Sequence, residues 1–97
     1  MRGKFITLEG IEGSGKSTSL DTISKILETL DIEFIITKEP GGGPLGKDLR
    51  KILLDKKTSI SPEVELLLMM ADRKNHIDNI VEPCLEKGVW VISDRYL

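Results

Sequence analysis

Residues 10–18, with the sequence GIEGSGKST, constrain the fold of this chain more than any other segment. They fit the pattern G-x-x-x-x-G-K-[ST], a loop whose backbone N–H groups surround the phosphates of a nucleotide. Glycine at positions 10, 13 and 15 permits positive φ and leaves no Cβ between the backbone and a phosphate. We therefore predict that nucleotide phosphates bind at Gly10, Ile11, Glu12, Gly13, Ser14, Gly15, Lys16, Ser17 and Thr18.

Four side chains carry the chemistry expected around such a loop. Lys16 supplies a mobile positive charge for the β- and γ-phosphates, and the Ser17 hydroxyl suits a Mg²⁺ ligand. Asp94 directly follows an apolar run, the position where P-loop proteins carry an acid that organises Mg²⁺. Arg95 adds a guanidinium that can hold a phosphate through two hydrogen bonds. We predict Ser17 and Asp94 as metal ligands.

Composition narrows the class of protein further. With 97 residues, 39% hydrophobic and 31% charged, the chain is typical of one soluble globular domain or part of one. The net charge of −2 and the aromatic content of 4% do not favour a nucleic-acid or membrane partner. The early apolar run at residues 5–8 is too short for a signal peptide or a membrane span. A single cysteine, Cys84, is typical of a reducing compartment, so we expect a cytoplasmic protein with Cys84 as a small buried hydrophobe.

Strand and helix patterns alternate along the chain. Short β-favouring runs predict strands, and apolar residues at helical spacing predict helices. The predicted strands cover residues 4–9, 33–37 and 89–93, and the predicted helices cover residues 16–30, 45–53 and a long segment from Ser61 to the glycine at position 88. Strand, helix and strand within the first 37 residues form a βαβ unit. The fold class is therefore α/β, a P-loop NTPase with a parallel sheet flanked by helices.

The long third helix has recognisable boundaries. Ser61 is a good N-cap, Pro62 suits the first helical position, and Glu63 complements the helix dipole. Pro83 should kink or split its last turns, and Gly88 should end it.

Residues 38–44, KEPGGGP, leave the carboxyl end of the second predicted strand. A plain turn is one interpretation, because glycine and proline interrupt regular structure. A substrate-binding loop is the other, since open α/β sheets bind ligands at this edge. The position favours the substrate loop.

Four stretches together resemble the bacterial thymidylate kinase (dTMP kinase) family: LEGIEGSGKST at 8–18, KEPGG at 38–42, ADR at 71–73 and VISDRY at 91–96. The similarity extends over essentially all 97 residues in the same order. It implies a nucleoside-monophosphate kinase-like fold in which ATP, with Mg²⁺, gives its γ-phosphoryl group to dTMP and forms dTDP. It also implies a homodimer, through the long helix that begins at Ser61, without nucleic-acid or membrane partners.

The resemblance implies roles for individual residues. Glu12 matches a carboxylate near the deoxyribose 3′-hydroxyl, Arg50 and Arg95 match arginines that contact the acceptor's phosphate, and Arg73 matches the residue that reads the thymine edge. Met69 stands where the family usually has a phenylalanine stacked on thymine. The predicted dTMP-binding residues are therefore Glu12, Arg50, Met69, Arg73 and Arg95, and the predicted catalytic residues are Lys16 and Arg95.

Differences from the family pattern leave alternatives open. Lys38 replaces an arginine and Gly43 replaces a threonine. Met69 leaves base selectivity open and could equally pack in the core, so another nucleoside or nucleoside-monophosphate kinase is an alternative. A P-loop switch NTPase is a more distant one. His76 we expect to be exposed on its helix and without a catalytic role, because a phosphate acceptor is already anionic.

Two further expectations concern the extent of the chain. Leu97 follows closely on a predicted strand, so we expect residues 1–97 to be the N-terminal part of a single P-loop kinase domain. Gly13, where some family members carry a catalytic arginine, implies that this arginine comes from a later lid. We therefore expect residues 1–97 alone to be inactive.

Overall fold

The computed structural model describes residues 1–10, 15–55 and 59–96, with backbone only at positions 10, 16 and 96. Strands and helices alternate, as the sequence predicts. The strands are β1 (Phe5–Gly10), β2 (Phe34–Glu39) and β3 (Trp90–Tyr96). The helices are α1 (Lys16–Thr29), α2 (Gly46–Leu54), α3 (Pro62–His76) and α4 (Glu82–Glu86), with a π-helical turn at Ile77–Val81 between the last two.

The three strands of the described chain form one parallel sheet in the order β1-β3-β2. Because β3 is central, its residues are level with partners on both sides. Arg95 pairs in register with Glu9 of β1 and with Glu39 of β2. All three strands run the same way, so their carboxyl ends meet at one edge, where open α/β sheets bind ligands.

Two strands are longer than predicted at this edge. β2 continues to Glu39 and β3 to Tyr96, whereas the sequence pattern predicted ends at residues 37 and 93. The prediction that Asp94 and Arg95 follow the strand is therefore wrong, since both lie within it. Pairing with β1 and β2 keeps these polar residues in the ladder, and hydrophobic pattern alone does not detect such pairing.

The apolar core lies where the end of the long helical segment covers β3. Val91 and Ile92 are fully buried in β3, and Val81 and Leu85 approach from the helical side. Burial of each such side chain contributes about 1.5–3 kcal/mol. Cys84 is half-buried against this cluster and unpaired, in keeping with its predicted role as a small hydrophobe.

The predicted boundaries of the long helical segment are confirmed. Ser61 Oγ accepts a hydrogen bond from the Val64 N–H at 3.3 Å, and Gly88 follows α4 with φ of +85°. The break falls just before Pro83. There the Glu82 N–H bonds the Ile77 carbonyl five residues back, which is π-helical spacing, and Pro83 itself has no N–H to donate.

The start of α3 exposes apolar side chains instead of burying them. Leu66, Leu67 and Met70 are 59%, 65% and 60% exposed. Within the described ranges, every helix is too short or too polar to cross a membrane.

Candidate active site

The first part of the site is the N-terminus of α1, where the predicted phosphate loop ends. Ile11, Glu12, Gly13 and Ser14 lie outside the described residues. Gly15 is the N-cap of α1, with φ of +87°. A Cβ added at Gly15 would meet no atom within 4 Å, so the backbone conformation, not crowding, requires glycine here.

The N-termini of α1 and α3 differ in which groups are available to satisfy their free N–H groups. α3 has the Ser61 cap and two glutamates in its first turn. α1 has no side-chain cap and no acidic residue in its first turn, and its Ser17 and Thr18 are exposed. Because the first N–H groups of a helix lack intrahelical partners, an anion can satisfy those of α1.

The second part is a buried carboxylate at the carboxyl end of β2. Glu39 is only 6% exposed. Its Oε2 accepts hydrogen bonds from Arg95 Nε at 3.0 Å and Arg73 Nε at 3.2 Å, and its Oε1 lies 2.9 Å from His76 Nδ1. Arg95 also bonds Glu9 on the opposite strand. One carboxylate thus joins β2, β3 and α3.

Glu39 stays ionised in this setting. Burial by itself would raise the pKa of its carboxyl, but the hydrogen bond with His76 and the charge of Arg95 outweigh burial, so the pKa is lowered. A buried anion therefore holds two guanidinium groups at the sheet edge.

A cavity of about 360 Å³ opens beside this cluster, between α3 and the sheet edge. It brings together three of the predicted dTMP-binding residues, Met69, Arg73 and Arg95. Met69 is 40% exposed on its wall, so the alternative of core packing is wrong. The lining also includes Glu39, Pro40, Leu66, Met70, Asp72, Lys74 and Ile77.

The segment after β2 is docked onto α2 and α3. A cis peptide joins Glu39 to Pro40, and the Pro40 carbonyl accepts a hydrogen bond from Arg50 Nη1 at 2.7 Å. The Gly41 N–H donates to Asp72 Oδ1 at 3.0 Å. Arg50 therefore does not line the cavity itself but contacts Pro40, which does.

Gly43, one of the differences from the family pattern, is explained by its neighbours. A Cβ at this position would lie 2.5 Å from Asn75 Oδ1 and 2.8 Å from the His76 backbone nitrogen. Asn75 Oδ1 meanwhile accepts a hydrogen bond from the Leu45 N–H at 2.9 Å. Close packing of this loop on the end of α3 leaves no room for a side chain.

Sequence reasoning missed Glu39, Asp72 and His76. The prediction that His76 is exposed is wrong: it is fully buried, because the last turn of α3 packs over the end of β2 and the glycine loop. Asp72 is 2% exposed, and burial raises the pKa of its carboxyl despite the Gly41 hydrogen bond. A signal was available in the helical spacing of Asp72 and His76, which places both on one face of α3.

The predicted metal ligands supply oxygen donors suited to Mg²⁺. Ser17 is the second residue of α1, and Asp94 lies in β3 level with Leu8 of β1, the strand that precedes the predicted phosphate loop. The part of the chain that the structure describes has no group of three or more His, Cys, Asp or Glu side chains fit for a metal. Mg²⁺ does not need one, because it commonly binds through one or two protein oxygens, substrate phosphates and water. The oxygen donors of Ser17 and Asp94 therefore fit Mg²⁺.

Comparisons with known proteins identify the family to which this chain is similar. A family model described as thymidylate kinase matches residues 8–97. Thymidylate kinase of Carboxydothermus hydrogenoformans is 54% identical over 96 residues, which are 99% of this chain and 47% of that relative. Thymidylate kinase of Nitrosomonas europaea is 50% identical over 95 residues, 98% of this chain and 44% of the relative.

A solved structure gives the same family as the sequence comparisons. Thymidylate kinase from Ehrlichia chaffeensis matches with a TM-score of 0.80 and 35% sequence identity, over 99% of this chain and 53% of that one. The chain spans about half the length of the relatives it matches. These matches confirm the resemblance predicted from short motifs and the P-loop α/β fold.

Proposed function

This chain belongs to the thymidylate kinase family, and we propose that a protein containing it transfers the γ-phosphoryl group of ATP to dTMP, forming dTDP and ADP. Residues 1–97 are then the N-terminal part of a single P-loop kinase domain. The observation that carries the proposal is the shared sheet edge. There β1 ends before the uncapped N-terminus of α1, and Met69, Arg73 and Arg95 meet in a cavity at the ends of β2 and β3.

On the donor side, the loop at residues 10–18 binds the triphosphate through backbone N–H groups and the Lys16 charge. Ser17 and Asp94 hold Mg²⁺, which when bound neutralises charge on the β- and γ-phosphate oxygens. The uncapped first turn of α1 supports this assignment.

On the acceptor side, Arg50 and Arg95 bind the dTMP phosphate, Arg73 contacts the thymine edge and Met69 packs against the ring. Glu12 receives the 3′-hydroxyl. Arg73 lines the cavity with its side chain 52% exposed, whereas the Arg95 side chain is 15% exposed and is held from both sides by Glu9 and Glu39. A pre-positioned guanidinium suits phosphoryl transfer, where positioning and charge neutralisation supply most of the rate.

No base is needed in this scheme, because the attacking phosphate oxygen is already anionic. His76 fits that expectation, since its ring is fully buried and its Nδ1 faces Glu39.

The exposed apolar residues of α3 that do not line the cavity, Val64 at 42% and Leu67 at 65%, support a homodimer through this helix. The substitution Leu67→Asp should convert the dimer to a monomer in sedimentation analysis of the full-length protein. The matched control is Leu45→Asp, which should leave the dimer intact, because Leu45 is similarly exposed at 58% but lies at the N-cap of α2.

An ATP-coupled assay of the full-length protein with dTMP, dUMP, dCMP, AMP and GMP tests the proposed activity. The expected result is turnover of dTMP well above the others. Equal turnover of several monophosphates would contradict the thymidine assignment and favour a broader nucleoside-monophosphate kinase, the alternative that Met69 supports. Hydrolysis of ATP or GTP that no monophosphate accelerates would contradict the kinase class.

A further inference from the structure

We infer that Glu39 and His76 act as a buried positioning pair, which fixes the guanidinium groups of Arg73 and Arg95 at the cavity before dTMP arrives. The inference rests on the proposed function, in which these arginines bind dTMP. Neither Glu39 nor His76 need touch substrate for this role.

The two oxygens of Glu39 have separate partners. Oε2 accepts from the Nε of Arg95 at 3.0 Å and from the Nε of Arg73 at 3.2 Å. Oε1 faces His76 Nδ1 at 2.9 Å. Because His76 engages one oxygen, rotation of the carboxylate would break that contact, and the other oxygen stays aimed at both arginines.

His76 is itself fixed by packing. It is the last residue of α3, immediately before the π-helical turn, and is fully buried. Its ring lies against Gly42, where an added Cβ would come within 2.6 Å of His76 Cδ2. Among the described residues, His76 Nε2 has no hydrogen-bond partner. The tautomer with its proton on Nδ1 satisfies the carboxylate and leaves only a lone pair on Nε2.

The pair spans elements that are distant in sequence. Arg73 belongs to α3 and Arg95 to β3, and Glu39 of β2 is 34 and 56 residues away from them. Two long flexible side chains therefore share one buried anion, which reduces their freedom before substrate binds. Pre-organisation of this kind raises affinity and rate because less ordering remains to be done in the complex.

The test compares four variants of the full-length protein. Glu39→Gln keeps the shape but removes the charge and one acceptor oxygen. His76→Leu removes the donor, and His76→Asn replaces Nδ1–H with an amide N–H at a similar position. Glu82→Gln is the matched control, since Glu82 pairs with Arg2 at 2.8 Å on the surface, away from the site.

We expect Glu39→Gln and His76→Leu to lower kcat/KM for dTMP on the order of 10²-fold, the size of effect that a small misplacement of binding groups produces. ATP affinity should stay within about twofold, because the donor loop is a separate structure. His76→Asn should recover most of the loss, and Glu82→Gln should behave as wild type.

The outcomes separate this inference from the proposed function. Wild-type protein that does not phosphorylate dTMP overturns the proposed function, and the positioning pair with it. Active wild type with unchanged Glu39→Gln kinetics overturns the pair alone. Equal losses of dTMP and ATP binding also overturn it, because they indicate general unfolding. Equal losses in His76→Asn and His76→Leu contradict the role of the Nδ1 donor.

Discussion

The proposed donor and acceptor sides of the sheet edge are built in opposite ways. The proposed donor side is the nine consecutive residues 10–18, which end in an uncapped, exposed helix turn with Gly15 in the left-handed region. The acceptor side is assembled from β2, β3 and α3 around Glu39, which is almost fully buried. A site made by the backbone of one short segment can lose a side chain without destabilising the fold. In a site assembled from several elements, the residues that bind substrate also hold those elements together. Substitutions on the acceptor side should therefore affect both activity and stability, and those on the donor side activity alone.

The largest expected effect is on the donor side. Lys16→Ala should lower kcat by about 10²- to 10³-fold, the range for loss of one group that stabilises charge in a transition state. The unfolding midpoint should not change. Lys25→Ala is the matched control, because Lys25 is on the same helix in an exposed pair with Asp21 at 3.0 Å. A clear loss of stability in Lys16→Ala would contradict the separation of the two sides.

Next in size is a substitution in the acceptor-side loop. Gly42→Ala places a Cβ 2.4 Å from the Lys38 carbonyl oxygen and 2.6 Å from His76 Cδ2. We expect unfolding to become easier by about 1–3 kcal/mol, as overpacking typically causes, measured by urea denaturation. Ser59→Ala, at an exposed connector position, provides the control. Unchanged stability in Gly42→Ala would show that the loop can move away from α3.

A smaller effect is the pH dependence of stability, which should have opposite signs for two acceptor-side carboxyls, Glu39 and Asp72. The folded pKa of Glu39 lies below its unfolded value of 4.5, so its stabilisation is present above pH 4.5 and is lost as pH falls through the folded value. The folded pKa of Asp72 lies above its unfolded value of 3.8, so its contribution is present below pH 3.8 and is lost as pH rises through the raised value.

Urea denaturation between pH 3 and pH 7 measures both signs. The amount by which Glu39→Gln lowers the free energy of unfolding should be larger at pH 7 than at pH 3. For Asp72→Asn the amount should be larger at pH 3 than at pH 7. Changes of the same sign would contradict pKa shifts in opposite directions at the two carboxyls.

The smallest expected effect concerns the cavity wall. Met69→Phe adds an aromatic ring, worth about 0.5–1.5 kcal/mol when stacked. We expect it to raise kcat/KM for dTMP by about two- to tenfold in the coupled assay. Leu45→Phe, at a position 58% exposed and not on the cavity, should leave kcat/KM as it is. A fall in kcat/KM for dTMP in Met69→Phe would place the thymine ring elsewhere.

Most elements were predictable because their signals are local. Helical spacing, the Ser61 cap and the glycine at position 88 placed the helices within a few residues, and β-favouring runs placed the strands. Strand ends were less predictable. Asp94 and Arg95 read as polar residues beyond a strand, and only pairing on both sides of β3 keeps them in it.

The sequence by itself determined the order of the elements and the family, because each depends on residues close together in the chain. It predicts the phosphate loop from the same kind of local signal. Motif matching also predicted Met69, Arg73 and Arg95, which share one cavity, but it did not predict what holds the two arginines. Only the tertiary structure decided that Glu39 is a buried anion and that His76 is inside the molecule. The reason is physical: burial and charge pairing depend on which distant elements pack together, and the spacing of residues in one helix cannot report the strand that will cover it.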